Sequence, residues 1–254
     1  MPITDLFDLS NDVAVVTGAG RGIGEGIAHA LAEAGAAVVC AARRTEEIER
    51  VAGDIRENGG RAIAVTTDVT REDQIEALAE AAVGEFGSLD IWVNNAGGSP
   101  IQAPLLDLPI EEWDATMRLN VTSPWLCTRA AARRMGESGG RILNISSRAG
   151  SHPVPGSCHY SAAKAAINNL TVGFARELGP RIRVNAIEPG AVPTEIMMKA
   201  LGLTDEKLPA LERNLRLPAG RLGTPQDLGA AALYLCSPAS EWVTGVVMPV
   251  SGGL

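Results

Sequence analysis

Val13-Ala14-Val15-Val16-Thr17-Gly18-Ala19-Gly20-Arg21-Gly22-Ile23-Gly24 runs from a β-branched apolar segment through a glycine-rich bend into the start of a helical pattern. A lone glycine pattern is weak evidence; its place between a strand and a helix gives it meaning. Gly18 allows a tight turn. The missing side chains at Gly22 and Gly24 let backbone and helix approach a pyrophosphate, whose charge a helix N-terminus favours. The stretch predicts a nucleotide-binding strand–loop–helix unit.

Outward from it, short apolar runs at 13–17, 37–41, 62–67, 89–94, 142–146, 182–187 and 245–250 alternate with helical periodicity at 23–34, 45–58, 71–86, 109–134, 158–178 and 224–236. This alternation predicts an α/β fold, a Rossmann-type doubly wound parallel sheet of about seven buried strands with helices on both faces. Thr70 ahead of Asp73, and Thr224-Pro225-Gln226-Asp227, carry the signals of capped helix starts. No repeat or linker interrupts the pattern, so residues 1–254 are expected to form a single dinucleotide-binding and catalytic domain. One long connection, 194–222, carries Ile196, Met197, Met198, Leu201, Leu203, Leu208, Leu211, Leu215 and Leu217. It reads either as a substrate lid or as a cover for the core or a subunit contact.

The bulk numbers exclude several function classes. A formal charge of −8 argues against a nucleic-acid partner. The apolar runs are too short to cross a membrane, and Met1-Pro2-Ile3-Thr4-Asp5 lacks the basic start and apolar stretch of a secretory signal; a cytoplasmic location is expected. Cys40, Cys127, Cys158 and Cys236 are scattered and read as reduced packing residues. With His29, His152 and His159 the only histidines, and no HxxxH or CxxC pair, no catalytic metal is expected.

The chain has two tyrosines and three lysines, yet Tyr160 and Lys164 stand at helical i, i+4 spacing. Composition alone would give such a pair roughly 0.02 times. A phenol near pKa ~10 needs its phenolate stabilised to exchange protons at neutral pH, and an ammonium one turn away does this, although burial opposes it. Ser147, thirteen residues earlier at the end of a predicted strand, faces the crevice where such folds bind ligands, with Ser146 as the alternative. Cys158 and His159, as helix neighbours, point in different directions and read as packing or pocket lining rather than a nucleophile pair.

Thr17-Gly18 with Gly22 and Gly24, Asn94-Asn95-Ala96-Gly97, Asn120, Ser147, Tyr160, Lys164 and Pro189-Gly190 with Thr194 span nearly the whole chain. Together they resemble the short-chain dehydrogenase/reductase family, in particular bacterial β-ketoacyl-ACP reductases and hydroxysteroid dehydrogenases. The resemblance implies hydride transfer between a secondary alcohol or ketone and a nicotinamide cofactor. Asn120, Ser147, Tyr160 and Lys164 would be catalytic, with Asn120 holding a water that links Lys164 to solvent. Gly18, Arg21, Gly22, Ile23, Gly24, Asp68, Val69, Asn95, Ala96, Gly97, Pro189, Gly190, Val192 and Thr194, with Tyr160 and Lys164, would hold the cofactor. A homotetramer is implied as well. Ser251 stands where relatives often carry aspartate, so any role of that acid does not carry over.

The second predicted strand ends Ala41-Ala42-Arg43-Arg44. NAD sites usually place an acid near this point for the ribose 2′-hydroxyl, whereas NADP sites bring an arginine to the 2′-phosphate. With Ala42 at the acid's position and Arg43, Arg44 and Arg21 nearby, NADP is expected, with NAD as the alternative. The substrate would be a small ketone or alcohol, such as a 3-oxoacyl thioester or a hydroxysteroid. Gly98-Ser99-Pro100-Ile101-Gln102 and residues 148–155 supply further pocket candidates, with Arg148 or His152 available to an anionic group. A non-catalytic nucleotide-binding regulator would need neither Ser147 nor the Tyr160–Lys164 pair. A Rossmann-like methyltransferase would usually place an acid where Ala42 stands.

Overall fold

Apolar runs dense in β-branched residues become strands because their side chains cover a pleated surface on both faces. The computed structural model describes residues 2–99 and 101–254, so Met1 and the pocket candidate Pro100 lie outside the described residues. Its strands are β1 (Val13–Thr17), β2 (Ala37–Ala42), β3 (Arg61–Thr66), β4 (Ile91–Asn94), β5 (Gly140–Ile145), β6 (Ile182–Pro189) and β7 (Val247–Val250). They pair in parallel in the order β3-β2-β1-β4-β5-β6-β7. The strand order reverses between β1 and β4, which opens a crevice at the C-terminal ends of the strands. The expected doubly wound α/β fold is what forms.

The connections carry α1 (Gly22–Glu33), α2 (Thr45–Glu57), α3 (Glu72–Phe86), α4 (Ile110–Met117), α5 (Ser123–Met135), α6 (Cys158–Leu178), α7 (Glu195–Leu201), α8 (Leu208–Leu215) and α9 (Pro225–Cys236). Successive strand residues point to opposite faces and feed two cores. On one face Val16, Val38 and Val93 pack with Ile27 of α1, Ile48 of α2 and Leu228 of α9. On the other Val15, Val39 and Trp92 pack with Ile75 of α3, Leu126 of α5 and Phe174 of α6. Cys40, Cys127 and Cys236 are free and buried in these cores, and burial pushes all three thiols well up. They are packing residues.

The expected burial of all seven strands holds in the middle of the sheet and fails at its edges. β3 and β7 each have one neighbour and keep partly exposed residues, and Pro249 in β7 offers no N–H to a further strand. The helix expected over 109–134 is interrupted. α4 passes into a π-helical turn at Arg118–Thr122, where the Ser123 N–H reaches back to the Arg118 carbonyl before α5 begins. Pro124 explains the break: it has no N–H for the carbonyl of Asn120 four residues earlier.

The predicted cap at Thr70 does not form. Its hydroxyl donates to Asp68 Oδ1 at 2.8 Å, Arg71 takes the cap position, and Asp73 pairs with Arg71. A carboxylate two residues back has captured the hydroxyl. Thr224 does cap α9, with its Oγ1 accepting from Asp227 N at 3.3 Å and its own N–H donating to Asp227 Oδ2 at 2.8 Å. Arg221 forks onto the same carboxylate at 2.7 Å on both oxygens and holds it well below the usual carboxylate range. Thr224→Ala is therefore expected to cost about 1 kcal/mol, read as a lowered urea midpoint with an unchanged slope.

Candidate active site

The glycine loop is braced from the neighbouring strand. Thr17 Oγ1 donates to Val93 O at 3.0 Å and accepts from the N–H groups of Asn95 and Ala96 at 3.0 and 3.1 Å. Asn95 Nδ2 donates to the carbonyls of Thr17 (2.9 Å) and Gly18 (3.1 Å). Asn95 thus ties the ends of β1 and β4 across the crevice. Gly18 sits at φ +66°, a left-handed conformation that disfavours other residues. A Cβ on Gly24 would stand 2.1 Å from Gly18 O, so that glycine closes the loop onto its own helix.

Around the outer end of this loop three arginines gather. Arg21 pairs with Glu195 and Arg44 with Glu47 (2.8 Å), while Arg43 is exposed beside the half-buried Ala42. Burial lowers the pKa of Arg21, and the charge of Arg44 adds to this. Asp68 accepts from Thr70 N at 2.9 Å. Burial is the largest single influence on Asp68 and raises its pKa, but the Thr70 bonds with Arg43 and Arg71 leave the carboxyl below its ordinary value.

At the inner end, α6 carries Tyr160 and Lys164 one turn apart, with Lys164 Nζ 5.6 Å from the Tyr160 ring centre. Lys164 is buried and donates to Ile145 O at 2.9 Å; desolvation pulls its ammonium down to about 8. Tyr160 goes the other way. Burial raises its phenol, and the neighbouring Ser147 hydroxyl pulls it partly back. Of the two opposed influences expected on the phenol, the Lys164 charge and burial, burial wins in the protein alone. The two candidate serines differ in their partners. Ser146 Oγ is buried and donates to Lys164 O at 3.2 Å, whereas Ser147 Oγ, beside Tyr160, accepts from Ala149 N at 3.1 Å. Asn120 is spent on the loop after β4, donating to Gly98 O (2.9 Å) and Thr116 O (3.0 Å) and accepting from Gly98 N (2.9 Å). A Cβ on Gly97 would stand 2.8 Å from Asn120 Oδ1 and 3.3 Å from Lys164 Nζ, so these three groups meet.

The turn after β6 completes the enclosure. Gly190 N donates to Val250 O at 3.0 Å, Val192 is buried, and Thr194 Oγ1 caps α7 by accepting from Met197 N at 3.3 Å. The Thr194 methyl lies 3.1 Å from where a Cβ on Gly22 would be, so the turn closes on the glycine loop. One cavity of about 710 Å³ joins both ends. Every residue named from the sequence as catalytic or cofactor-binding lines it except Asn120, which stands behind Gly97 and Gly98; of the pocket candidates at 148–155, Arg148, Ala149 and Val154 line it and His152 does not. Ile196, Met197 and Leu201 of α7 form part of its wall, and so does Leu254, which the sequence reading missed. His159 is buried, its Nε2 2.8 Å from the Ser99 hydroxyl on the cavity wall. Away from the cavity, Glu25, His29 and Asp54 bring ligand atoms within 4.8 Å of one another, but Arg50 already bridges the two acids. No helix among the described residues is long and apolar enough to cross a membrane.

The residues present fit a nicotinamide dinucleotide: a side-chain-free loop at the N-terminus of α1, cations at the outer end, and a phenol with a hydroxyl beside it at the inner end. Comparisons with known proteins agree. The family model described as enoyl-(acyl carrier protein) reductase matches residues 18–254. A 7alpha-hydroxysteroid dehydrogenase from Escherichia coli K12 is 38% identical, over 98% of this chain and 96% of its own. A 3-oxoacyl-[acyl-carrier-protein] reductase from Vibrio cholerae is 38% identical, over 98% and 99%. A solved 7alpha-hydroxysteroid dehydrogenase complexed with NADH and 7-oxo glycochenodeoxycholic acid superposes with a TM-score of 0.92 at 38% identity, covering 98% of this chain and 96% of that one. Against relatives that are oxidoreductases, the regulator alternative falls away. The chain belongs to the short-chain dehydrogenase/reductase family and is an oxidoreductase acting on CH–OH groups with a nicotinamide cofactor.

Proposed function

We propose that the protein interconverts a secondary alcohol and a ketone with NADP(H), using Tyr160 as the general acid/base. The observation that carries this reading is the single cavity, with Ser147 and Tyr160 at one end and the glycine loop with three arginines at the other. Bound there, the cofactor supplies or accepts hydride at the substrate carbon. Ser147 holds the substrate oxygen by hydrogen bond, and Tyr160 donates its proton to that oxygen in reduction or takes it in oxidation. Lys164 contributes a positive charge behind the phenol and a donor for ribose hydroxyls. Asn120, whose side chain bonds Gly98 and Thr116, would bind the water that links Lys164 to solvent. The remaining cofactor contacts are those named from the sequence: the loop from Gly18 to Gly24, Asp68 and Val69 at the adenine, and the 189–194 turn at the nicotinamide.

The preference for NADP rests on Ala42 in place of an acid and on Arg43, which has no carboxylate partner among the described residues. Apolar walls from Ile101, Val154, Ile196 and Met197 suit a substrate with a hydrophobic body, such as a hydroxysteroid or a 3-oxoacyl thioester. Residues 194–222 would act as its lid: α8 buries none of its side chains fully, and Ile196 and Leu201 are left partly exposed at the cavity. We read the chain as one domain and expect a cytoplasmic homotetramer. Initial rates over a panel of ketones and alcohols, with NADPH and NADH at equal concentration, test the whole reading. Faster turnover with NADPH is expected; a clear NADH preference would overturn the cofactor choice, and no turnover with either would overturn the substrate class.

A further inference from the structure

Glu188 is a carboxylate inside the apolar pattern of β6, its side chain only 3% exposed. A buried carboxylate is costly unless fully partnered, and this one is. The single Ser151 hydroxyl proton is shared between Oε1 at 2.6 Å and Oε2 at 2.7 Å, Asn168 Nδ2 donates to Oε1 at 2.7 Å, and Arg148 Nη1 donates to Oε2 at 3.3 Å. Two of these partners, Arg148 and Ser151, lie in the short turn that leaves Ser147. The third, Asn168, stands one helical turn beyond Lys164.

That turn fixes the Ser147 hydroxyl directly. Gly150 N donates to Ser147 O at 2.9 Å, and Ala149 N donates to Ser147 Oγ at 3.1 Å. The turn also has no slack on its α6 side, where a Cβ on Gly150 would stand 2.9 Å from both the Lys164 carbonyl carbon and Asn168 Nδ2. A shift of the 148–151 turn therefore moves the N–H that orients Ser147. Buried ion pairs often break even in stability against apolar residues of similar volume, so what such a cluster adds is geometry.

We propose that Glu188 is a positioning residue, clamping the 148–151 turn onto β6 and α6 so that the Ser147 hydroxyl stays beside Tyr160 and the substrate oxygen. This rests on Ser147 being the residue that holds that oxygen. Glu188→Gln keeps an acceptor for Ser151 but turns an amide donor towards Arg148, which can only donate, or towards Asn168, whose amide must turn over to accept, and it removes the charge that Arg148 pairs with, and so loosens the clamp.

The test is a double-mutant cycle on the full chain, measuring kcat, KM, cofactor affinity by fluorescence and thermal midpoint. Glu188→Gln is expected to lower kcat roughly tenfold, because small misplacements of an orienting group are expensive, with cofactor affinity unchanged. In the Ser147→Ala background the same substitution is expected to change kcat less than about twofold, since the group it positions is gone. Ser151→Ala, which leaves the Arg148–Glu188 pair in place, is expected to give a smaller loss that also vanishes in the Ser147→Ala background; it carries the test if Glu188→Gln does not fold. Full multiplicative losses in the double variants, or unchanged kcat in both single variants, would overturn the proposal. If Ser147→Ala alone keeps its kcat, the role given to Ser147 fails, and the clamp has nothing to position.

Discussion

Tyr160→Phe is expected to lower kcat by about a thousandfold while leaving cofactor affinity within about twofold, since positioned proton transfer contributes roughly 10²–10⁴. The ring stays and fills the same space, so only the hydroxyl is removed. Stopped-flow or steady-state nicotinamide absorbance reads turnover, and fluorescence titration reads binding; retained turnover would refute the acid/base role. The pH profile adds an independent check. Reduction needs the phenol protonated and the lysine charged. Burial raises the phenol, so its proton is held throughout the neutral range, whereas the Lys164 ammonium is pulled down to about 8. In the free enzyme kcat/KM for ketone reduction should therefore fall above about pH 8, where the Lys164 charge is lost. Alcohol oxidation, which needs the phenolate, should keep climbing on the alkaline side. A reduction profile flat to pH 10 would show that the Lys164 charge is not required.

The placement of Tyr160 and Lys164 one turn apart was legible because their spacing and their rarity coincide: a helix brings i and i+4 together whatever surrounds it. The doubly wound parallel sheet was legible for a similar reason, since alternating buried runs and amphipathic stretches leave few other packings. The misread cap lies where a neighbouring side chain outcompetes the local signal. Thr70 has the residue type of a cap, but Asp68 takes its hydroxyl. Asn120 is expected to bind a water, and its side-chain amide meanwhile holds Gly98, twenty-two residues away in sequence. The π-helical turn did leave a trace, a proline at 124 within an otherwise helical pattern, and so did the clamp, an acid at 188 within an apolar strand. Leu254 on the cavity wall left none, because local sequence pattern does not say which residues far along the chain return to the cavity.

Ala42→Asp is expected to reverse the cofactor preference, moving the ratio of kcat/KM for NADPH over NADH by roughly a hundredfold. Two effects of opposite sense add. A carboxylate at the end of β2 accepts from a ribose 2′-hydroxyl, and it repels a 2′-phosphate at the same point. Hydrogen bonds to charged groups are worth about 1.5–3 kcal/mol, so one bond gained and one phosphate contact weakened reach about 3 kcal/mol. The surroundings decide whether the swing is complete. Arg21 and Arg44 already carry carboxylate partners in Glu195 and Glu47, which leaves Arg43 as the cation with charge to spare. Arg43→Ala alone should then weaken NADPH about tenfold with little effect on NADH, and Arg44→Ala should do less. Measuring kcat/KM for both cofactors in the three variants orders these contributions. If Arg43→Ala leaves the NADPH value untouched, the 2′-phosphate is not read at the end of β2, and the assignment of NADP falls with it.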